Sequence, residues 1–150
     1  MNTWHNWCLG FVVGIACVTA ATAGEPIRDK DAFEKQSIEC IMSGVKDGCW
    51  SRLFIKHTPP DDDKNQDLVN TLRKIEVFLG DRGSVYKVHP VERTTVADIS
   101  DGRVYVIEYS SGRFCGVFIH FKKIKESWYI STFSVNDEDV FFKKIFKFPI

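Results

Sequence analysis

Hydrophobic periodicity changes once along this chain, near Gly80, and that change constrains the fold more than any other feature. Before it, Ile38, Ile41, Met42, Val45, Cys49 and Leu53 recur at i, i+3, i+4 and i+7, which places them on one stripe of a helix starting near Asp31. Asp29 or Asp31 can cap that start. Lys46-Asp47-Gly48 breaks the pattern into a long helix and a short one carrying Trp50, Leu53 and Phe54, and Pro59-Pro60 ends the pair. A further helix over about Asp67 to Leu79 aligns Leu68, Leu72, Ile75 and Leu79 and stops at Gly80. After Gly83 the period becomes two. Segments 84–89, 91–99, 103–110, 113–123 and 127–136 are rich in β-branched and aromatic residues, and the turns between them are short enough only for antiparallel neighbours. The order predicts an α+β domain, with two or three helices on one face of an antiparallel sheet of four to six strands.

Alternation along 113–123 puts Cys115, Val117, Ile119 and Phe121 on one face and Phe114, Phe118 and His120 on the other. The helices need one face. The second face is a candidate interaction surface, with Tyr109 of the preceding strand added to Phe114, Phe118 and His120 as the candidate binding set.

The first 23 residues hold no Lys, Arg, Asp or Glu. The apolar run from Cys8 to Ala23 is too short and too rich in small residues for a membrane span, whereas Ala21-Thr22-Ala23 fits a signal-peptide cleavage site. Residues 1–23 therefore read as a signal peptide, and 24–150 as a single mature domain in the periplasm or outside the cell. Its core spans about 31–136, with an aromatic and Lys-rich tail over 137–150. Twenty basic against twenty acidic residues leave a formal net charge of zero, and no Lys/Arg run reaches five, so nucleic-acid binding is not expected.

Cleavage would leave Cys40, Cys49 and Cys115, which allow at most one disulfide within a monomer. A helix-to-sheet bridge, Cys49–Cys115, is one expectation, and three small buried thiols are the other. No Cys-x-x-Cys or Cys/His cluster suggests a metal. The acidic loop over 59–67 fails as a calcium loop, because position six from Asp61 is Gln66 and position twelve is Leu72. No cofactor is expected.

Val45-Lys46-Asp47-Gly48-Cys49-Trp50, Phe78-Leu79-Gly80-Asp81-Arg82-Gly83, Tyr105-Val106-Ile107-Glu108-Tyr109 and Lys125-Glu126-Ser127-Trp128-Tyr129-Ile130 together resemble the nuclear transport factor 2-like (cystatin-like cone) superfamily. The likeness is strongest to its small exported bacterial domains of unknown function, over about Asp31 to Asn136. It implies a strongly curved, cone-like sheet. It also implies that Trp128 and Ile130 point into the concavity against Ile41, Met42 and Val45, with Tyr129 outward.

Members of that superfamily include isomerases, dehydratases, ligand carriers and assembly modules, so the resemblance leaves function open. His120 is the candidate base if the chain is a cone-pocket isomerase or dehydratase, with Asp98 and Glu108 as carboxylate partners; His57 and His89 read as solvated or locally bonded side chains. No nucleophile elbow, phosphate loop or zinc-protease motif occurs. The leading expectation is a non-enzymatic binding or assembly module, of the immunity or inhibitor kind among others, that takes a protein partner or a small apolar ligand and is open to homodimer formation. The tail from Val140 to Ile150 mixes large apolar residues with three Lys, so it either presses on an anionic membrane or a protein partner, or folds onto the sheet as a last strand or helix.

Overall fold

The computed structural model describes residues 24–59 and 65–146. The expected leader, most of the acidic loop and the last four residues of the tail lie outside the described residues.

The first helix, α1 (Lys30–Met42), begins where the Asp29 carboxylate accepts hydrogen bonds from the Asp31 and Ala32 amides at 2.9 and 3.0 Å. Its buried residues are Phe33, Ser37, Cys40 and Ile41. The stripe is therefore rotated from the expected one: Ile38 is half-buried and Met42 is 44% exposed. The chain breaks at Lys46-Asp47-Gly48 as expected, so Cys49 and Leu53 belong to a second helix and do not continue the α1 stripe. A 3-10 turn, Lys46–Gly48, separates α1 from α2 (Cys49–Lys56), and around it Gly44, Val45, Asp47 and Gly48 have φ of +78°, +52°, +57° and +67°. For a β-branched residue such as Val45 this region is strained by about 1–3 kcal/mol. It persists because the Val45 side chain is buried and its amide donates to the Cys40 carbonyl at 3.0 Å.

The same reversal decides the cysteine pairing. Cys40 bonds to Cys49, with their Cα atoms 5.9 Å apart, and Cys115 is free and buried. The expected Cys49–Cys115 bridge does not form. Cys40 lies in the last turn of α1 and Cys49 starts α2, so the tight connection brings them together, while Cys115 faces the core from the sheet beside Tyr109 and Arg82.

Helix α3 (Asn65–Gly80) buries Leu72 and Leu79 and half-buries Leu68 and Ile75, as their spacing requires. Glu76 joins it to α2, accepting from the Ser51 amide at 2.8 Å and the Ser51 hydroxyl at 3.0 Å. A carboxylate at that helix N-terminus also suits the helix dipole.

The sheet is a four-stranded antiparallel meander, β1 (Val85–Val96), β2 (Ser100–Tyr109), β3 (Phe114–Ile124) and β4 (Ser127–Asp137), in sequence order. Segments 84–89 and 91–99 form one strand, not two. Pro90 sits at a register shift between Pro90 and Glu92, on an edge strand that tolerates a missing N–H. The helices cover the concave face, where Cys115, Val117, Ile119 and Phe121 are all buried. Phe54 stacks on Trp50 at 4.3 Å and meets Phe33 and Phe133 edge-on at 5.4 and 5.2 Å, which binds α1 and α2 to β4.

Trp128 and Ile130 do share the concave face, opposite Lys123 and Phe121. Only Ile130 is a core residue, at 2% exposure. Trp128 is half-buried at the edge of the core, bridged to Ile27 and capped by the Lys30 ammonium 3.4 Å from its ring centroid. The tail forms α4 (Glu138–Phe146), whose Phe141 is buried against Gly116 on the convex face. No helix among the described residues is long and apolar enough to cross a membrane.

Candidate functional site

Among the described residues, the convex face is covered only in part. Helix α4 packs over Phe114 and Gly116, with the Phe114 and Phe142 rings 6.3 Å apart. Beyond it, Val104, Phe118 and His120 stay partly accessible on β2 and β3. Phe118 lies against Gly102, where an added Cβ would come within 3.3 Å of its ring. His120 stacks on Phe118 at 6.2 Å and 8°, and its Nε2 is 2.7 Å from Ser100 Oγ.

Three of the four expected binding residues therefore share this face, with Phe114 beneath α4. Tyr109 does not join them. It is 1% exposed on the concave face, where its hydroxyl donates to the Leu79 carbonyl at 3.3 Å. His120 stands outside the cone, and neither expected carboxylate reaches it: Asp98 pairs with Lys123, and Glu108 with His89 at 2.7 Å. An isomerase or dehydratase working inside the cone thus loses its candidate base. His57 is held by a distant segment and not locally, its Nδ1 2.8 Å from the Glu25 carbonyl, and burial draws its pKa below the ordinary value despite that bond.

The concave face ends in a charged cluster that the sequence reading missed. Arg103, 2% exposed, donates to Asp31 at 2.8 Å, to Asp101 at 3.2 Å and to Glu34. Asp101, fully buried, also receives Lys30 at 3.1 Å and Arg93 at 3.0 Å. Burial opposes ionisation of Asp101, but the hydrogen bonds from Arg103, Lys30 and Arg93 outweigh it and hold its pKa below the ordinary carboxylate value. Three cations and three carboxylates neutralise one another, joining α1 to β1 and β2. Beside the cluster lies a cleft of about 230 Å³, lined by Glu34, Arg103, Tyr105 and the Pro90–Arg93 bulge. No group of three or more His, Cys, Asp or Glu among the described residues is arranged to hold a metal.

Among solved structures, a Campylobacter jejuni protein named as a candidate NTF2-like transpeptidase aligns over 68% of this chain and 96% of its own, with a TM-score of 0.51 and 10% identity. The fold is nuclear transport factor 2-like. A DUF4783 family protein from Bacteroides ovatus aligns over 68% of this chain and 92% of its own, at 12% identity and a TM-score of 0.47. No family model matches the sequence, and no curated protein matches it. Likeness at such identity speaks to the nuclear transport factor 2-like scaffold alone, so chemistry has to be argued from the residues on its two faces.

Proposed function

We propose that this nuclear transport factor 2-like domain is an exported, non-enzymatic binding module that docks a protein partner on the open half of its convex sheet face. The Phe118–His120 stack beside Val104 carries the reading. It is an aromatic centre that α4 leaves accessible, ringed by Ser100, Thr132, Ser134 and Tyr129, and an apolar centre with a polar rim suits protein recognition. Export rests on the leader composition and the Ala21-Thr22-Ala23 site, and a Cys40–Cys49 disulfide suits an oxidising compartment. A partner that is a toxic effector or an enzyme would make the module an immunity or inhibitor protein.

The test is site-specific photo-crosslinking in cells. A photoreactive residue at Thr132, which is exposed beside His120, should give one discrete adduct in the envelope fraction, and Phe118→Asp should abolish it in protein that circular dichroism shows to be still folded. An adduct of two copies would identify the partner as a second copy of this chain. Equal labelling from a control position at Val77 on α3, or a Met1-initiated protein in the cytoplasm, would refute the reading.

A further inference from the structure

The β1–β2 and β3–β4 turns lie side by side at one end of the sheet, because β2 begins where β3 ends. Ser100 pairs with Lys122, the Lys123 amide donates to the Ile99 carbonyl at 2.9 Å, and the Lys123 ammonium pairs with Asp98. Turns at such a place are normally built from polar residues. Here Val96, Ile99 and Ile124 are 56%, 59% and 38% exposed. Single exposed apolar residues need no explanation, but three at one end mark an interaction site. Beside them lies a hollow of about 330 Å³ whose lining includes Pro59, Ile124, Lys125 and Tyr129.

The backbone of both tips is held in a costly conformation. Ala97, Lys125 and Glu126 have φ of +46°, +47° and +64°, where Gly or Asn would cost less. Other residues kept in that region cluster at functional sites. Charge at the tips is uneven as well. Lys123 pairs with both carboxylates there, Asp98 and, at 2.9 Å, Glu126. Lys122 and Lys125 make no ion pair among the described residues, so three cations face two carboxylates and the excess is positive.

We propose that the two hairpin tips dock on an anionic phospholipid bilayer, with Ile99 and Ile124 entering the boundary between headgroups and acyl chains while Lys122 and Lys125 meet the phosphates. Apolar side chains sink about 5–10 Å into that boundary, long Lys side chains bend back from it to the headgroups, and a Tyr ring suits the same depth. A stable protein interface covers about 800 Å² on each partner, which is more than three tip side chains supply. The proposal does not rest on the Phe118–His120 reading, since purified protein and lipid are enough to test it.

The test is co-sedimentation of the purified protein with vesicles of phosphatidylglycerol and phosphatidylcholine in equal parts, compared with phosphatidylcholine alone. The protein should sediment with the anionic vesicles, and added salt should release it. Ile99→Asp with Ile124→Asp, and separately Lys122→Glu with Lys125→Glu, should each weaken binding about tenfold or more. Val77→Asp, at a position 62% exposed on α3, should leave it unchanged. Circular dichroism selects the variants that are folded, and Ile99→Trp reports insertion without adding a charge, because brominated acyl chains should quench its fluorescence. Four results would overturn the proposal: no sedimentation with anionic vesicles, equal binding to neutral ones, unchanged affinity in folded tip variants, or a Trp at position 99 that brominated lipid does not quench.

Discussion

The ring of Phe141 on α4 fills the space that a side chain on Gly116 of β3 would need, and a Cβ there would collide with three ring atoms. Close seating of this kind attaches α4 to the convex face and leaves Phe118 and His120 beyond its edge. Gly116→Ala should therefore lower stability by about 1–3 kcal/mol through overpacking, and Phe141→Ala by about 3–5 kcal/mol through lost burial. The double variant should cost less than the sum, because removing the ring removes the clash. Urea denaturation of the four proteins checks this, and strict additivity would show that α4 packs elsewhere.

The cysteines give a second expectation. Closing a loop across the nine-residue separation of Cys40 and Cys49 is worth roughly 2–3 kcal/mol in the chain-entropy account, so Cys40→Ser with Cys49→Ser should destabilise by that amount. Burial pushes the Cys115 thiol up to about 12, so it should resist alkylation until the protein is denatured. Peptide mapping without reduction should recover the Cys40–Cys49 pair and an unmodified Cys115.

The Asp101 cluster predicts a pH dependence. The folded-state pKa of Asp101 is depressed below the unfolded value of about 3.9. Its contribution is thus complete above that unfolded value and is lost as pH falls through it toward the lower folded value. Asp101→Asn should cost about 3–5 kcal/mol at neutral pH, because it breaks a buried charge cluster, and should flatten the acid limb below about pH 4. Denaturation curves at a series of pH values, for both proteins, measure this; an unchanged acid limb would assign the effect to other carboxylates.

Ile130 and Trp128 separate a core anchor from a rim residue. Ile130→Ala removes a side chain that is 2% exposed and should cost about 2–5 kcal/mol. Trp128→Ala should cost less, since the ring is half-buried and its contact with Lys30 is worth about 0.5–1 kcal/mol at an accessible site. Thermal unfolding of the two variants ranks them, and the reverse order would place Trp128 inside the core.

Much of the fold was legible because it depends on short-range patterns. Asp29 as a cap, Lys46-Asp47-Gly48 as a break, the Leu68 to Leu79 stripe and the strict alternation of Cys115, Val117, Ile119 and Phe121 each need only neighbours a few positions away. Pro90 misled for the same reason. Locally it looks like a turn, and only its place on a sheet edge lets the strand run through it. The charged cluster had a readable trace, since Asp101 and Arg103 share a strand face with Ile107, but starting the strand at residue 103 left Asp101 in a turn.

By itself, the sequence determined the α+β order, the antiparallel meander and which β3 residues face the helices, because period and turn chemistry act within one element. Tertiary structure alone decided that Cys40 pairs with Cys49, that Tyr109 lies in the core while His120 lies outside it, that α4 covers Gly116 and Phe114 on the convex face, and that Tyr105 and Glu34 line one cleft. Each of these depends on how separate elements are turned against one another. That arrangement is set by packing and charge pairing between residues far apart in the chain, such as Arg103 with Asp31 across 72 positions, which no local pattern encodes.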